Sequence, residues 1–377
     1  MINICIDGNY VFHKILGSIL SVNKYSKDFL SIEEDRNIFM QKIIADLSYS
    51  LNQIPNLNKV VFCIDSKSWR KNFKISRGVY KENRKYDERV NWEIFFNLMD
   101  EFEGFLEENG FIFSKVTGAE ADDLLWAWSD YFKNKEDSII IISGDKDIYQ
   151  LVSYSENKWI NVWTNNLKNN KFIVDLNWKI EEETEEKELS VFDVNPMLDL
   201  NNSKLIRLIS SCAVEKINPK EFIFKKVLFG DRRDNIPGVF PHKTKNGKDI
   251  NIGESKAQKI WDFYFQSPWE KYSLEEIWDS EDFFEWISEV SLKVLNQSEN
   301  RENKEKFKQY YKENIKLLWL NKKTIPEDLI KNIYSHIEEK ENKQKPKLII
   351  NKNQLIEKSN WGDSKTILKE FDPFNLY

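Results

Sequence analysis

Acidic side chains recur directly after short apolar runs along this chain. They are Asp7 after the run 2–6, Asp65 after the run 60–64, and Asp145 with Asp147 after the run 139–142. An uninterrupted β-branched run of this length predicts a buried strand of an α/β sheet, and ligand sites in such folds lie beyond the carboxyl ends of the strands. Since residues two apart on an extended backbone point to the same side, we expect Asp145 and Asp147 to face together.

These acids together have the chemistry of a metal site. Clustered carboxylates repel one another unless a cation lies among them, and a hard, oxygen-seeking ion such as Mg²⁺ or Mn²⁺ is the usual occupant. Each acid taken alone is better interpreted as a turn or helix-cap residue. Caps have no reason to recur on successive strand ends, so the set predicts a metal-dependent phosphoryl-transfer site.

The composition narrows the class of protein. The chain has 377 residues and a net charge of -6, which fits one α/β domain with a smaller appended domain and gives no global attraction for nucleic acid. Cys5, Cys63 and Cys212 lack the spacing of zinc or disulfide frameworks, and the three histidines are dispersed. No run approaches membrane-spanning length and no phosphate loop of the GxxxxGK[ST] type occurs, so we expect a reduced, cytoplasmic protein.

Two local basic regions could contact a polyanion. Residues 66–90 hold nine Lys or Arg against three acids, with aromatic residues interleaved, which suits single-stranded or frayed nucleic acid; a solvated helix face is the alternative. Residues 220–259 hold ten Lys or Arg against five acids. There Gly253, Ser255 and Lys256 open a predicted helix whose N-terminal N–H groups could bind a phosphate, although such a glycine is often only a turn.

The remaining pattern predicts the elements that must position these residues. We expect helices over 36–51, 92–108 and 202–213, a strand over 111–116, and one or two strands near Trp163 and Phe172. Residues 261–337 predict an all-α lobe, 338–347 a charged linker, and 371–377 an aromatic tail that either docks on a partner or packs back on the body.

Six short motifs occur in a fixed order. They are IDGN at Asp7, CIDSKSWR at Asp65, YKENR at 80–84, EADD at Glu120, SGDKD at Asp145 and GDRRDNIPG at Asp231. In this order they resemble the 5′ nuclease superfamily, which includes flap endonucleases and the 5′-exonuclease domains of bacterial DNA polymerase I. Within it the RNase H group of T-even bacteriophages is the most similar. The likeness covers residues 1 to about 336.

The resemblance implies a fold and an activity. The fold is an α/β, PIN-like (resolvase-like) nuclease core over 1–213 with a helical arch at about 66–108, then a helix-three-turn-helix and helical domain over 214–337, and a linker and tail over 338–377. The activity is Mg²⁺-dependent, structure-specific 5′ nuclease chemistry, comprising 5′-3′ exonuclease, flap endonuclease and RNase H activities that remove RNA primers or 5′ flaps during DNA replication.

The resemblance also implies roles for individual residues. The first metal ion is expected at Asp7, Asp65, Glu120 and Asp122, and the second at Asp145, Asp147, Asp231 and Asp234. Lys81 and Arg84 are expected to steady the scissile phosphate, with Tyr80 near the end of the substrate, and Lys81, Arg84, Asp122 and Asp145 are the expected catalytic residues. Two Mg²⁺ ions, replaceable by Mn²⁺, would activate a water and stabilise the leaving oxygen, and K⁺ is expected at the helix-three-turn-helix.

Expected partners follow from the same resemblance. They are DNA and RNA–DNA hybrids with 5′ ends or flaps, and a single-strand-binding protein or sliding clamp through the tail, with the chain acting as a monomer away from membranes. The segment 240–251 makes the stretch between Gly238 and Gly253 longer than is usual in the family. Asp123, beside Asp122, is expected to be a supporting acid. The alternatives are a catalytically silent DNA-junction-binding protein of the same fold and, less consistent with Asn9, a phosphatase with an aspartyl nucleophile.

Overall fold

The chain forms two compact units in the computed structural model, which describes residues 1–22, 28–135, 137–155, 158–166, 169–178, 203–239, 252–342, 347–359 and 361. The sheet unit comprises residues 1–67, 86–217 and 328–377, and the helical unit comprises residues 68–85 and 218–327. This division differs from the expected boundaries at 213 and 337. The basic segment 68–85 belongs to the helical unit, and the residues after 327 belong to the sheet unit.

Eight strands form one mixed sheet in the sheet unit. They are β1 (Ile2–Asp7), β2 (Leu57–Cys63), β3 (Ile112–Ser114), β4 (Ser138–Ile142), β5 (Ser153–Ser155), β6 (Lys158–Thr164), β7 (Lys171–Asp175) and β8 (Ala213–Ile217). Their order is β3-β2-β1-β4-β6-β7-β8, with β5 paired to β6. The pairs from β3 to β6 are parallel, and β7 runs antiparallel to β6. The predicted α/β core is therefore confirmed.

The direction of winding reverses at β1. Ile4 of β1 pairs with Val60 of β2 on one side and with Ile140 of β4 on the other, and both pairings are parallel. The isoleucines at 139–142 are at most 1% exposed, and burying each contributes roughly 1.5–3 kcal/mol. The carboxyl ends of β2, β1 and β4 consequently form a rigid edge at the topological switch point, where open α/β sheets place their ligand sites.

Helices cover this sheet. They are α1 (Gly8–Val22), α2 (Glu33–Asn52), α3 (Trp92–Glu108), α4 (Ala121–Asn134), α5 (Ser203–Ser210), α11 (Glu327–Asn342) and α12 (Lys352–Lys358). The helices expected over 36–51, 92–108 and 202–213 are thus confirmed as α2, α3 and α5. Residues 338–342, expected in a linker, are the end of α11. The expected tail at 371–377 lies outside the described residues.

The helical unit has a core rich in aromatic side chains. Its helices are α6 (Pro219–Phe229), α7 (Glu254–Phe265), α8 (Leu274–Ile277), α9 (Glu281–Val294) and α10 (Arg301–Leu318). Phe224, Tyr264 and Tyr311 are fully buried within it. Asn314 of α10 donates to the backbone oxygens of Val227 and Pro237, which fixes the chain after α6 against α10.

The basic segment 66–91 contains little helix. Its one helical element is a 3₁₀ turn at Trp69–Asn72, and the rest is bends, turns and short bridges. Lys81 has φ +58°, a left-handed conformation that a regular right-handed helix does not contain. The arch expected over 66–108 is therefore α-helical only in its second half, 92–108.

None of the helices in the described ranges combines the length and the apolar character needed to cross a lipid bilayer.

Candidate active site

Three predicted acids lie at neighbouring strand ends of the sheet unit. Asp7 is the last residue of β1, Asp65 follows β2 by two residues, and Asp145 follows β4 by three. Because β2, β1 and β4 are adjacent and parallel, their carboxyl ends lie at one edge of the sheet. The topology thus places Asp7, Asp65 and Asp145 at or just beyond the same edge of the sheet.

Asp7 is the buried member of this group. Asp7 is only 6% exposed. Its Oδ1 accepts a hydrogen bond from the backbone N–H of Tyr10 at 2.9 Å, and its Oδ2 accepts one from the Ser143 hydroxyl at 2.8 Å. Burial raises the pKa of Asp7 to about 7, the two hydrogen bonds partly oppose that rise, and the negative charges of Asp65 and Asp145 add to it. A cation at this edge would offset the cost of burying the Asp7 carboxylate and its repulsion by Asp65 and Asp145.

Ser143 connects the ends of β1 and β4. It is fully buried, and besides donating to Asp7 its hydroxyl accepts from the backbone N–H of Asp145 at 3.0 Å. Asp145 in turn accepts from the backbone N–H of Asp147 at 2.8 Å and caps the 3₁₀ turn Lys146–Leu151. The extended backbone expected between Asp145 and Asp147 is therefore wrong, because the chain turns immediately after Asp145.

The start of α4 supplies the remaining acids of this edge. Glu120 is the N-terminal cap residue of α4, and Asp123, fully buried, accepts from its backbone N–H at 3.0 Å. The backbone N–H of Ala121 donates to Asp65 Oδ1 at 2.7 Å, so Asp65 is fixed to the helix N-terminus, where the helix dipole favours an anion. Asp123 thus has a structural role in the first turn, which leaves Asp122 as the predicted ligand on this helix.

Asp122 is half-buried and is also electrostatically linked to β2. The pKa of the Cys63 thiol, at the end of β2, is raised by burial first and then by the charges of Cys5, Asp7 and Asp122. Cys63 is the residue that pairs with Asp7 across the β1–β2 ladder. The charges of Asp7 and Asp122 therefore act on a common point of the sheet edge.

Two glycines allow the backbone to pack closely around these acids. A Cβ on Gly8 would lie 2.4 Å from Phe62 Cε1 and 2.5 Å from Ile64 Cδ1, which are buried side chains. A Cβ on Gly144 would lie 2.2 Å from Cε2 of Tyr10. Larger residues at either position would displace core atoms beside Asp7 and Asp145.

The carboxylates do not form a finished metal cage. Within the described ranges, no three or more Asp, Glu, His or Cys side chains are grouped so that they could hold a metal ion as they stand. The oxygen chemistry of the group nevertheless fits a hard divalent ion, and so do the burial and, to a smaller extent, the repulsion by Asp65 and Asp145 that raise the pKa of Asp7. Ion binding at this edge would require some of the carboxylates to change rotamer.

Asp231 and Asp234 belong to the helical unit and have cationic surroundings. Lys226 Nζ lies 2.8 Å from Asp231 Oδ2, and the backbone N–H groups of Arg233 and Asp234 donate to Asp231 Oδ1. Burial would raise the pKa of Asp231, but the Lys226 ammonium and these hydrogen bonds lower it below its usual value. Asp231 and Asp234 therefore lie together in the helical unit, whereas the other predicted ligands belong to the sheet unit.

The predicted phosphate-binding residues contact Asp234. Arg84 Nη2 lies 2.9 Å from Asp234 Oδ1, the Tyr80 hydroxyl donates to Oδ2 at 3.2 Å, and Lys81 Nζ lies 3.8 Å from Oδ2. Lys81 Nζ also lies 4.8 Å from the centroid of the Tyr80 ring. Tyr80, Lys81 and Arg84 are therefore brought together as predicted, and their shared contact is a carboxylate.

The other predicted nucleic-acid contacts lie at the start of α7. Gly253 is its N-terminal cap residue, and Ser255 and Lys256 are exposed in the first turn. Residues 240–251, expected to be an unusual insertion, lie outside the described residues.

Sequence reasoning did not assign roles to Ser143, Tyr10 or Lys226. Ser143 stands within the SGDKD motif, and a serine between a buried strand and an acid is a signal that could have indicated its role. Tyr10 contributes a backbone N–H, which no side-chain pattern reveals. Lys226 precedes Asp231 by five residues across a helix end, so its pairing depends on the turn at 230–236.

Comparison with known proteins identifies relatives in one group of nucleases. The model of the 5′-3′ exonuclease N-terminal resolvase-like domain matches residues 4–185, which confirms the expected resolvase-like core. A 5′-3′ exonuclease of Buchnera aphidicola subsp. Schizaphis graminum is 27% identical over 56% of this chain and 59% of its own length. A second one, from Buchnera aphidicola subsp. Acyrthosiphon pisum, is 30% identical over 53% and 54%. These matches therefore span little more than half of either relative.

A third relative matches along nearly the whole chain. The 5′-3′ exonuclease of Mycoplasmopsis pulmonis is 25% identical over 97% of this chain and 92% of its own length. Among solved structures, the bacteriophage T5 D15 protein co-crystallised with metal ions is 16% identical, with a TM-score of 0.49, over 90% of this chain and 99% of that one. The T5 D15 flap endonuclease in a pseudo-enzyme-product complex with DNA and metal ions is 17% identical, with a TM-score of 0.47, over 91% and 100%.

Proposed function

We propose that the chain belongs to the 5′ nuclease superfamily and is a Mg²⁺-dependent, structure-specific 5′ nuclease, because residues 4–185 match the model of the 5′-3′ exonuclease N-terminal resolvase-like domain and 5′-3′ exonucleases are similar to it in sequence. It acts as a 5′-3′ exonuclease, flap endonuclease and RNase H that removes RNA primers or 5′ flaps during DNA replication. The observation that carries this proposal is the meeting of Asp7, Asp65 and Asp145 at the switch point of the sheet. There burial, with the charges of Asp65 and Asp145, raises the pKa of Asp7 to about 7.

The sheet unit supplies the proposed metal ligands. They are Asp7, Asp65, Glu120, Asp122, Asp145 and Asp147. Carboxylate oxygens are the ligands that Mg²⁺ and Mn²⁺ prefer in proteins, and a bound cation would lower the pKa of Asp7 and so keep it ionised. Asp231 and Asp234 stay predictions as ligands, because each would have to exchange its lysine or arginine partner for the metal.

The proposed ligands are held in place by hydrogen bonds from neighbouring residues of the sheet unit. Divalent ions bound at these carboxylates would supply a nucleophilic water and stabilise the charge on the leaving oxygen. The Ser143 hydroxyl and the Tyr10 N–H hold the two oxygens of Asp7, and the N-terminus of α4 holds Asp65. The proposed role of Lys81 and Arg84, in the helical unit, is to bind a phosphate group of the strand through their positive charge.

The substrate we propose is nucleic acid with a free 5′ end. The basic segment 66–90 carries a local excess of six positive charges, nine Lys or Arg minus three acids, on a chain whose net charge is -6. Duplex contacts would come from the exposed start of α7, at Gly253, Ser255 and Lys256, with K⁺ bound nearby. A single-strand-binding protein or a sliding clamp remains the proposed partner of a monomer.

A cleavage assay on matched substrates tests the proposal. Purified protein should digest labelled 5′-flap, nicked and RNA-primed duplexes in Mg²⁺ or Mn²⁺ and leave 5′-phosphate ends, and excess EDTA should stop the reaction. Asp7→Asn and Asp145→Asn should remove cleavage, whereas Asp100→Asn, which changes an exposed acid paired with Lys115 on the same unit, should leave it unchanged. Full turnover in EDTA or in Asp145→Asn would contradict the proposal.

A second function is favoured by one observation. A catalytically silent protein of the same fold would bind DNA junctions through the local excess of six positive charges in segment 66–90 and would need no metal ligands. The two functions separate in the same assay, since a silent protein would shift the flap substrate in a gel without cutting it at any Mg²⁺ concentration.

A further inference from the structure

Asp234 lies at the centre of a converging set of donors in the helical unit. One of its oxygens is held by Arg84 at 2.9 Å, and the other is held by the Tyr80 hydroxyl at 3.2 Å and faces Lys81 Nζ at 3.8 Å. Tyr80 is 5% exposed and the Lys81 side chain is 11% exposed, whereas the Arg84 side chain is 53% exposed. The donors therefore form a positively charged cluster around Asp234 in which Arg84 is the most exposed member.

A phosphate group would satisfy the same donors. Carboxylate and phosphate both accept charge-assisted hydrogen bonds from arginine and lysine, and a phosphate offers more oxygens and more negative charge. The Asp234 carboxylate therefore occupies the place that a phosphate group would take among these donors.

The site is held together by more than the carboxylate. The backbone N–H of Lys81 donates to the backbone oxygen of Asp234 at 2.9 Å, and Lys81 keeps its left-handed backbone, φ +58°, in that contact. Next to it, Asn235 donates its side-chain amide to the Val79 oxygen at 2.9 Å and accepts from Asn83 at 2.9 Å. Removing the charge of Asp234 should therefore leave segment 79–84 in place.

We propose that Asp234 is a positioning residue that keeps Tyr80, Lys81 and Arg84 together in the free protein and is displaced from them by a phosphate group of the nucleic-acid strand. This inference rests on the proposed function in one respect, namely that the ligand is nucleic acid. It concerns the metal-free protein, in which Asp234 contacts these three side chains. Asp234 and the incoming phosphate compete for the same cations, so neutralising Asp234 should strengthen binding.

Binding measured without divalent metal tests this competition. A fluorescent single-stranded oligonucleotide, with and without a 5′-phosphate, is titrated with wild type, Asp234→Asn and Glu82→Gln in excess EDTA at fixed salt. Glu82 is the matched control, because it is an exposed acid next to Lys81 and its replacement removes the same charge. Asp234→Asn should lower Kd by about fivefold or more, and Glu82→Gln by no more than about twofold.

The two oligonucleotides distinguish the source of the phosphate. A gain confined to the 5′-phosphorylated strand assigns the site to the terminal phosphate, and an equal gain on both assigns it to an internal phosphodiester. Either result supports the competition. No gain beyond that of Glu82→Gln, or weaker binding by Asp234→Asn, would overturn it.

A double replacement guards against a general charge effect. In the Arg84→Ala background, Asp234→Asn should no longer strengthen binding, because the principal cation that it releases is gone; a full gain there would also overturn the proposal. Thermal melting checks folding, and Asp234→Ser serves as a second neutral variant if Asp234→Asn melts early. These binding measurements need no cleavage. If wild type failed to cut the flap substrate, the proposed function would be contradicted, but the competition between Asp234 and phosphate would still be tested.

Discussion

The sheet unit and the helical unit surround their motif carboxylates in opposite ways. In the sheet unit, Asp7 is buried beside Asp65 and Asp145, and its pKa is raised to about 7. In the helical unit, Asp231 lies against Lys226 and its pKa is lowered, while Asp234 contacts Arg84 and Lys81. Acids of similar motifs thus separate into a group in which Asp65 and Asp145 act on Asp7 as like charges and a group held against lysine and arginine. The first group is the better candidate for binding a cation.

The largest expected effect is on cleavage. Asp145→Asn should reduce turnover of a 5′-flap substrate by about 10³-fold, since it removes a proposed metal ligand without changing side-chain volume. Asp231→Asn should cost less than about tenfold, because its present partner is Lys226. Single-turnover rates in Mg²⁺ measure both, with Asp100→Asn as the control. Equal losses for the two variants would break the comparison.

The pH dependence of stability should also distinguish the units. The pKa of Asp7 is raised from its usual 3.8 to about 7, so the folded state holds a proton that the unfolded state has released. The metal-free protein should therefore lose stability as pH rises from about 4 to about 7, by roughly 1 kcal/mol per pH unit from this group. Asp7→Asn should remove this slope and be more stable than wild type at pH 8, by about 2 kcal/mol.

Urea unfolding in EDTA across this pH range measures the free energy of unfolding of wild type and of Asp7→Asn. The difference between the two isolates Asp7, because the other carboxylates titrate in both proteins. Asp100→Asn should keep the wild-type slope. Parallel curves for wild type and Asp7→Asn would mean that Asp7 is already ionised, and the contrast between the units would fail.

Asp231→Asn should have the opposite effect on stability. The change leaves an oxygen for the N–H groups of Arg233 and Asp234 but removes the charge facing Lys226, whose side chain is 8% exposed. We expect a loss of about 2 kcal/mol at pH 7, since the buried Lys226 ammonium loses this carboxylate partner. Denaturation followed by tryptophan fluorescence measures it, with Asp262→Asn in α7 as a control in the same unit. A neutral or stabilising result would show that the pair contributes little.

The smallest effect is expected at Ser143. Ser143→Ala removes the hydrogen bonds to Asp7 and to the Asp145 N–H and should cost about 1 kcal/mol of stability. Because it also frees Asp7 and Asp145 to move, cleavage should fall by about tenfold. Ser21→Ala, an exposed serine bonded only to its own helix carbonyl at 2.7 Å in the contacts described, is the control. Unchanged cleavage would show that Ser143 does not position these acids.

The sheet edge could be predicted because its signal is local. The apolar runs before Asp7, Asp65 and Asp145 are buried strands, and their pairing brings the acids to one edge. Helix α1 was not predicted, since Gly8 at its start and Gly17 inside it weaken the helical pattern. Strand β8 was missed because its residues are largely exposed at the edge of the sheet.

The surroundings of the helical unit's acids could not be predicted in the same way. Tyr80 and Arg84 are separated from Asp234 by 154 and 150 positions, so their contacts depend on tertiary packing. The same packing explains why the basic segment is not the expected helical arch: its backbone follows the loop at 230–236 through the Lys81 and Asn235 contacts. Motif order identified the residues, but only the structure shows which of them lie against a lysine or arginine and which lie beside other acids.

Proton release on metal binding tests the central claim most directly. Calorimetric titration of Mn²⁺ into the metal-free protein at pH 6.5, in buffers of different ionisation enthalpy, counts the protons displaced. With the pKa of Asp7 at about 7, wild type and Asp231→Asn should release more than half of a proton per protein as the ion binds, and Asp7→Asn should release almost none. Binding without proton release in wild type, or equal release in Asp7→Asn, would contradict the assignment of the cation site to the sheet unit.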